Sequence, residues 1–148
     1  MIDKYYEAVK TSRDYSPDVL SLGNKFSINP EIEYHELRGF NVNFYYDDIA
    51  FYNVSRDYIS TFANLLEAFA NDFFDPEKKY FVNQCLMLNL VTVDDKPALL
   101  CTISYLPEER SKNRLQEEIF LDKTEAFNIA QNIKYALTLS KTYTLRSI

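Results

Sequence analysis

The stretch FNVNFYYDDIAFYNV, residues 40–54, constrains the fold of this chain more than any other. Aromatic or aliphatic residues alternate with polar ones on both sides of Asp47-Asp48, and such an alternation is typical of β-strands with one buried face. The aspartate pair predicts a hairpin turn that places Ile49 opposite Tyr46. Because Asp accepts positive φ less readily than an Asn-Gly pair does, a longer loop around a type I turn fits the sequence equally well.

The two faces of this predicted hairpin have different roles. One face is expected to belong to the hydrophobic core, and its main residues are Phe40, Val42, Phe44 and Phe51. The turn and the opposite face are expected to lie at the surface, where the residues of interest are Tyr45, Asp47, Asp48 and Tyr52.

Three segments have the apolar spacing of amphipathic helices. Ser55 is placed to cap a helix over residues 56–74, and its stripe consists of Tyr58, Ile59, Phe62, Leu65, Leu66, Phe69 and Phe73. Asp122 and Glu125 have the spacing of a capping box for a helix over 123–140, whose stripe consists of Ala126, Ile129, Ala130, Ile133, Ala136 and Leu137. A short helix over 2–13 is predicted from Ile2, Tyr5, Tyr6 and Val9.

Strands are predicted over about 32–54 and about 81–121, because the apolar stretches there are short and alternate or are bounded by turn residues. A hairpin closed across Val93 and Ala98 would place Cys101 opposite Leu90. The segment 15–25 is expected to be a connector, and 141–148 a short strand or a tail. The predicted fold is α+β: one domain over 1–148 with a mainly antiparallel sheet, built from two hairpin or meander units, and three amphipathic helices packed on it.

Composition and charge limit the classes of function. Sixteen Lys and Arg residues against 22 Asp and Glu residues give a net charge of −6, which disfavours direct binding to nucleic acid or to anionic membranes and favours a basic protein partner. The N-terminal residues lack the apolar core of a secretory signal, and the two cysteines, Cys85 and Cys101, form no CxxC pair, so we expect a cytoplasmic protein with buried reduced thiols. Only two glycines occur, which excludes GxGxxG and P-loop motifs and predicts no nucleotide cofactor.

Two acidic turns are the main candidate sites. Asp47-Asp48 and Asp94-Asp95 are each flanked by strand patterns, and side by side they would form a carboxylate cluster for a cation or a basic partner. The preference of Asp for turns explains both pairs without any ligand. The predicted partner-binding residues are Tyr45, Asp47, Asp48, Tyr52, Asp94 and Asp95.

Two further patterns are weaker. Glu31, Glu33 and His35 alternate, so an extended strand would place two carboxylates and the only histidine on one face, although charges on an edge strand also prevent aggregation. No second histidine completes a metal site, and we predict no metal ligands and no catalytic residues. In ERSKNR, the basic residues Arg110, Lys112 and Arg114 are largely neutralised by neighbouring glutamates.

These features favour a small acidic binding protein that is not an enzyme, of the inhibitor or immunity type, which masks a basic partner such as a nuclease or toxin. One alternative is a secretion-type chaperone that binds a client segment and forms a homodimer. Another is a small metal-dependent enzyme that uses Glu31, Glu33 and His35.

Overall fold

The structure of the protein is a computed structural model that describes residues 8–11, 19–35, 39–108 and 111–147. The described residues form an α+β fold with nine strands and two helices, which confirms the predicted class but not the predicted third helix. The elements are β1 (Ala8–Lys10), β2 (Leu20–Gly23), β3 (Phe26–His35), β4 (Gly39–Tyr46), β5 (Ile49–Ser55), α1 (Arg56–Ala70), β6 (Lys79–Asn83), β7 (Leu86–Val93), β8 (Lys96–Leu106), β9 (Leu115–Leu121) and α2 (Lys123–Ser147).

The hairpin β4–β5 forms as predicted from its alternation. Tyr46 pairs with Ile49, so Asp47-Asp48 is a two-residue turn and the longer loop is excluded. Asp47 has a φ of 50°, a left-handed conformation that Asp tolerates better than most residues. Val42, Phe44 and Phe51 are buried in the core, whereas Phe40 is only partly buried.

A single curled sheet contains all nine strands in the order β2-β3-β4-β5-β1-β8-β7-β6, with β9 paired to β8. The described strand pairs are antiparallel except for β1 and β8, which are parallel. We call the sheet face that packs on the two helices the inner face and the opposite one the outer face. The inner face carries the aromatic core, in which the ring of Phe44 lies 5.6 to 5.8 Å from those of Phe26, Phe51 and Phe62.

The predicted helix over 2–13 is wrong at Ala8–Lys10, which form β1 and join the two halves of the sheet. Ala8 pairs with Phe51 on one side and with Tyr105 on the other, and its side chain is fully buried. A strand of three residues between two longer strands is determined by its neighbours rather than by its own periodicity. Residues 2–7 and 12–13 lie outside the described residues.

The connector predicted over 15–25 contains a further strand, β2, which forms a hairpin with β3. Gly23 has a φ of 112°, and Asn24 and Lys25 also adopt positive φ, so this Leu-Gly-Asn sequence is a hairpin turn rather than a break between elements. The side chain of Asn132 on α2 donates to the carbonyl of Leu22 at 2.9 Å, which ties the helix to this hairpin.

The second predicted sheet unit is confirmed, with a corrected register. Val93 pairs with Lys96 across Asp94-Asp95, so Cys101 lies opposite Leu88 and not Leu90. Asp94 and Asp95 both have positive φ, as a type I′ turn requires, and this two-residue turn is tighter than the four-residue connection in the prediction. Both cysteines are free and buried, as expected.

Both helices begin at the predicted caps. The Ser55 hydroxyl accepts from the backbone N–H of Asp57 at 3.2 Å, and Asp122 and Glu125 each accept from the other's backbone N–H. α1 ends at Ala70, earlier than predicted, so Phe73 lies beyond the helix and is 82% exposed. Tyr58, in the first turn of α1, also lies at the surface rather than in the buried stripe. α2 continues to Ser147, so its last turns replace the strand or tail predicted there. Its predicted apolar stripe is buried throughout.

No helix among the described residues is long and apolar enough to cross a membrane.

Candidate functional site

A small pocket opens on the inner face at one end of the sheet. The end of β1, the β4–β5 turn, the end of β8 and the middle of β9 meet there, because β1 bridges β5 and β8. The pocket has a volume of about 150 Å³, and its lining residues are Lys10, Tyr46, Asp47, Asp48, Ile49, Tyr105 and Glu117.

Two buried tyrosines form the floor of the pocket. Tyr46 and Tyr105 are each 7% exposed and line the pocket, so they belong to the core at its base. The ring of Tyr46 packs edge-on against Phe26, with the centroids 4.7 Å apart. Neither hydroxyl has a hydrogen-bond partner among the described residues. Buried phenols of this kind normally find a partner, so the floor has free capacity for a polar ligand.

The pKa of Tyr46 is raised above its ordinary value of 10.0, first by burial and then by the negative charges of Glu117 and Asp47. Tyr46 therefore remains a neutral phenol at physiological pH. A neutral phenol presents both a donor and an acceptor to the pocket. The same causes make a further negative charge in the pocket unfavourable.

The rim of the pocket is acidic. Among the described residues that line the pocket, the carboxylates of Asp47, Asp48 and Glu117 are accompanied by one cationic side chain, that of Lys10. Lys10 Nζ lies 3.6 Å from Asp48 Oδ2, and both side chains are nearly half exposed. An exposed pair of this kind contributes at most about 1 kcal/mol, so an incoming cation can replace Lys10 at little cost.

Backbone hydrogen bonds hold the acidic turn in place. The N–H of Thr11 donates to the carbonyl of Asp48 at 2.7 Å, and the N–H of Asp47 donates to the carbonyl of Lys25 at 2.8 Å. The turn is thus anchored to β1 on one side and to the β2–β3 turn on the other. The backbone of the turn is therefore ordered before any ligand arrives, which reduces the ordering cost of binding.

The structure separates the predicted partner-binding residues into three places. Asp47 and Asp48 lie on the rim of the pocket, whereas Asp94 and Asp95 lie at the other end of β8. β8 has 11 residues, and at about 3.3 Å per residue the two acidic turns are roughly 30 Å apart. They therefore form no common carboxylate cluster. Tyr45 and Tyr52 are half-buried strand residues that do not line the pocket, and the register places Tyr45 on the outer face with Ala50.

The weaker candidates are resolved only in part. Residues 31–35 are extended as predicted, and the backbone pairs Glu33 with Asn41 and His35 with Gly39, but their side chains lie outside the described part of the structure. Arg110 also lies outside it, and Lys112 is exposed. Arg114 donates to Ser104 Oγ at 2.8 Å, to the Ser104 carbonyl at 2.9 Å and to Cys85 Sγ at 3.2 Å, so it links the segment before β9 to β8 and to the β6–β7 turn. Within the described ranges, no group of three or more His, Cys, Asp or Glu side chains is arranged to hold a metal ion.

Five pocket residues were not among the predicted site residues: Lys10, Tyr46, Ile49, Tyr105 and Glu117. The sequence contains one signal for them, because Glu117 has the same strand phase as the buried Ile119 and Leu121 and so places a carboxylate on the inner face. The sequence does not indicate that Lys10 belongs to the site, because the segment around it has the apolar spacing of a helix.

Comparisons with known proteins give no match: no family model, no curated protein and no solved structure matches this chain.

Proposed function

We propose that this protein is a non-catalytic binding domain, of the inhibitor or immunity type, that masks a basic protein partner by accepting one of its arginine side chains in the acidic pocket. The observation that carries the proposal is the composition of that pocket: three carboxylates and one ammonium group surround two buried phenols. A site with excess negative charge and unpaired acceptors is complementary to a cation that can donate several hydrogen bonds.

Arginine fits the pocket better than lysine does. A guanidinium group has five N–H donors in a planar fork, and it can bind a carboxylate through two parallel hydrogen bonds while its remaining N–H groups donate to other acceptors. The rim supplies the carboxylates of Asp47, Asp48 and Glu117, and the floor supplies the phenols. The volume of about 150 Å³ matches the end of a single side chain and is too small for most cofactors.

The net charge of the whole chain supports the same kind of partner. A charge of −6 attracts a basic protein at long range and increases its association rate at low salt. A nuclease or toxin whose positively charged surface binds nucleic acid has the required chemistry. Binding of this domain would cover that surface and neutralise it.

The test uses the two acidic turns as a matched pair. Tagged wild-type protein, Asp47→Asn/Asp48→Asn and Asp94→Asn/Asp95→Asn are used to capture partners from the source cells at low and moderate salt. Asn tolerates positive φ, so both variants keep their turns while each loses two charges. We expect wild-type protein and the Asp94/Asp95 variant to retain a basic protein in stoichiometric amount, and the Asp47/Asp48 variant to bind it about tenfold more weakly or worse.

A third variant tests whether removal of a positive charge from the pocket strengthens binding. Because Lys10 occupies part of the negative rim, Lys10→Gln removes a competing cation, and we expect it to bind the same partner more tightly than wild type does. Equal losses in the two aspartate variants would mean that the net charge acts without the pocket. Unchanged binding in the Asp47/Asp48 variant would exclude the pocket as the binding site.

A further inference from the structure

Strand β9 has one free edge. In the described sheet, β2 and β6 end the strand order and have four and five residues, whereas β9 branches from β8 and has seven. β9 pairs with β8 on one side, and no described strand lies on its other side. An unpaired edge of this length is a template on which an extended segment of another chain can form a further strand.

The hydrogen bonds of β8 show which backbone groups of β9 face this edge. The N–H of Ser104 donates to the carbonyl of Cys85 at 2.8 Å, in the turn before β7, so even-numbered residues of β8 face β7 and odd-numbered ones face β9. Ile103 therefore exchanges backbone hydrogen bonds with its partner Glu117. The N–H and C=O groups that point away from β8 belong to the alternate residues of β9, which are Gln116, Glu118 and Phe120.

We call the outward backbone groups of these three residues the β9 edge. All three residues are exposed, and none of them has a hydrogen bond at this edge to the described part of the chain. Three N–H donors and three C=O acceptors are therefore available to a strand that pairs with β9.

The charge of β9 indicates what kind of strand fits there. Glu117 and Glu118 lie at its centre on opposite faces of the sheet, and the strand has no basic residue. Two copies of β9 paired edge to edge would bring like charges together, and an inward-pointing charge such as that of Glu117 prevents such pairing. The two glutamates therefore disfavour a second copy of this chain and favour a strand with basic residues at consecutive positions.

We propose that the basic partner adds an extended segment to the β9 edge, with an arginine opposite Glu117. The proposal rests on the proposed function, because Glu117 also lines the acidic pocket and makes the β9 edge continuous with it. Directly opposite residues have Cβ atoms about 5 Å apart, so this arginine lies on the inner face beside the pocket and within reach of it. Main-chain hydrogen bonds to the β9 edge supply affinity, and the arginine supplies specificity.

Peptide probes test whether backbone pairing occurs. The first is a blocked peptide, Thr-Val-Thr-Arg-Arg-Thr-Val-Thr, whose β-branched residues favour an extended chain and whose arginines match the two glutamates. Two more peptides have the same sequence with N-methyl groups on either the odd or the even residues. N-methylation removes N–H donors and keeps the charges, and a strand bonds its neighbour through alternate residues only. Calorimetric titration of the full chain should therefore give affinities for the two methylated peptides that differ by at least about tenfold.

A backbone variant tests the same pairing from the side of the protein. Gln116→Pro removes one outward N–H and leaves every charge and the bonds to β8 in place, and proline is tolerated where an edge strand faces solvent. We expect it to bind the unmethylated peptide about threefold to tenfold more weakly than Gln116→Val, which keeps the N–H. Equal affinities for the two methylated peptides overturn the proposal, and so does a folded Gln116→Pro protein that binds as Gln116→Val does.

The variant Asp47→Asn/Asp48→Asn separates this proposal from the pocket. If it binds every peptide more weakly but keeps the difference between the methylated forms, both the pocket and the β9 edge are supported. If its affinities equal those of wild type and the difference remains, the β9 edge is supported and the pocket is contradicted. If wild type binds the two methylated peptides equally and the variant binds neither, the pocket is supported and the β9 edge is overturned.

Discussion

Cys101 makes the stability of the folded protein depend on pH. Its side chain is fully buried in the centre of β8, and burial raises the pKa of the thiol above its ordinary value of 9.0. The unfolded chain loses this proton at about pH 9, while the folded chain keeps it. The folded state therefore binds more protons than the unfolded state above that pH, and the free energy of unfolding decreases as the pH rises.

Replacement of Cys101 with alanine should remove this part of the pH dependence. We expect the unfolding free energy of wild type to fall between pH 9 and pH 10.5 more steeply than that of Cys101→Ala, by up to about 1.4 kcal/mol per pH unit. At neutral pH the variant should be less stable by about 1 kcal/mol because of the small cavity. Urea unfolding at a series of pH values measures both effects, and parallel pH profiles for the two proteins would contradict the assignment.

The pocket residues show how much of the candidate site can be predicted from sequence alone. Asp47 and Asp48 were identifiable because they interrupt a clear alternation, and the same alternation puts Tyr46 in phase with the buried Val42 and Phe44. That Tyr46 and Tyr105 form one floor was not predictable, since 59 positions separate them along the chain and β1 brings their strands together. Local patterns predict which face a side chain occupies, but not which distant strand lies beside it.

At the scale of secondary-structure elements, the predictions that rested on local interactions are the ones that the structure confirms. The β4–β5 hairpin and the caps of both helices involve residues only two or three positions apart. The helix predicted at Ala8–Lys10 is wrong because the conformation of these residues depends on β5 and β8. Strand β2 was not predicted because it has only four residues and lies beside a Gly-Asn turn. The register of β7–β8 differed by two residues because Asp94 and Asp95 accept the positive φ of a tight turn.

The assignment of Ala8–Lys10 as a strand can be tested against the helix that their spacing suggests. Ala8 lies outside the apolar stripe of that helix, so Ala8→Lys would be tolerated there. In the structure Ala8 is fully buried between β5 and β8, and a lysine at this position should cost roughly 3 kcal/mol or more. Urea unfolding of Ala8→Lys measures the loss, with Ser21→Lys on the exposed side of β2 as a control. Equal stability of the two variants would favour the helix.

At the scale of the whole molecule, β8 separates the two acidic turns. The pocket opens on the inner face at one end of β8, and the Asp94-Asp95 turn lies at the other end. This separation makes the two turns independent of each other. Variants at Asp94 and Asp95 should therefore leave binding at the pocket unchanged.

The central claim is that the pocket accepts an arginine side chain, and titration of ¹⁵N-labelled protein with N-acetyl-arginine-methylamide tests it most directly. The citrulline analogue is the matched probe, since it has nearly the same shape and no charge. We predict saturable amide shifts around Lys10, Asp47, Ile49, Tyr105 and Glu117 with the arginine probe only, at millimolar affinity because a single side chain makes few contacts. The same titration of Asp47→Asn/Asp48→Asn should give no saturable shifts there. Equal shifts with both probes, or shifts centred on Asp94 and Asp95, would contradict the claim.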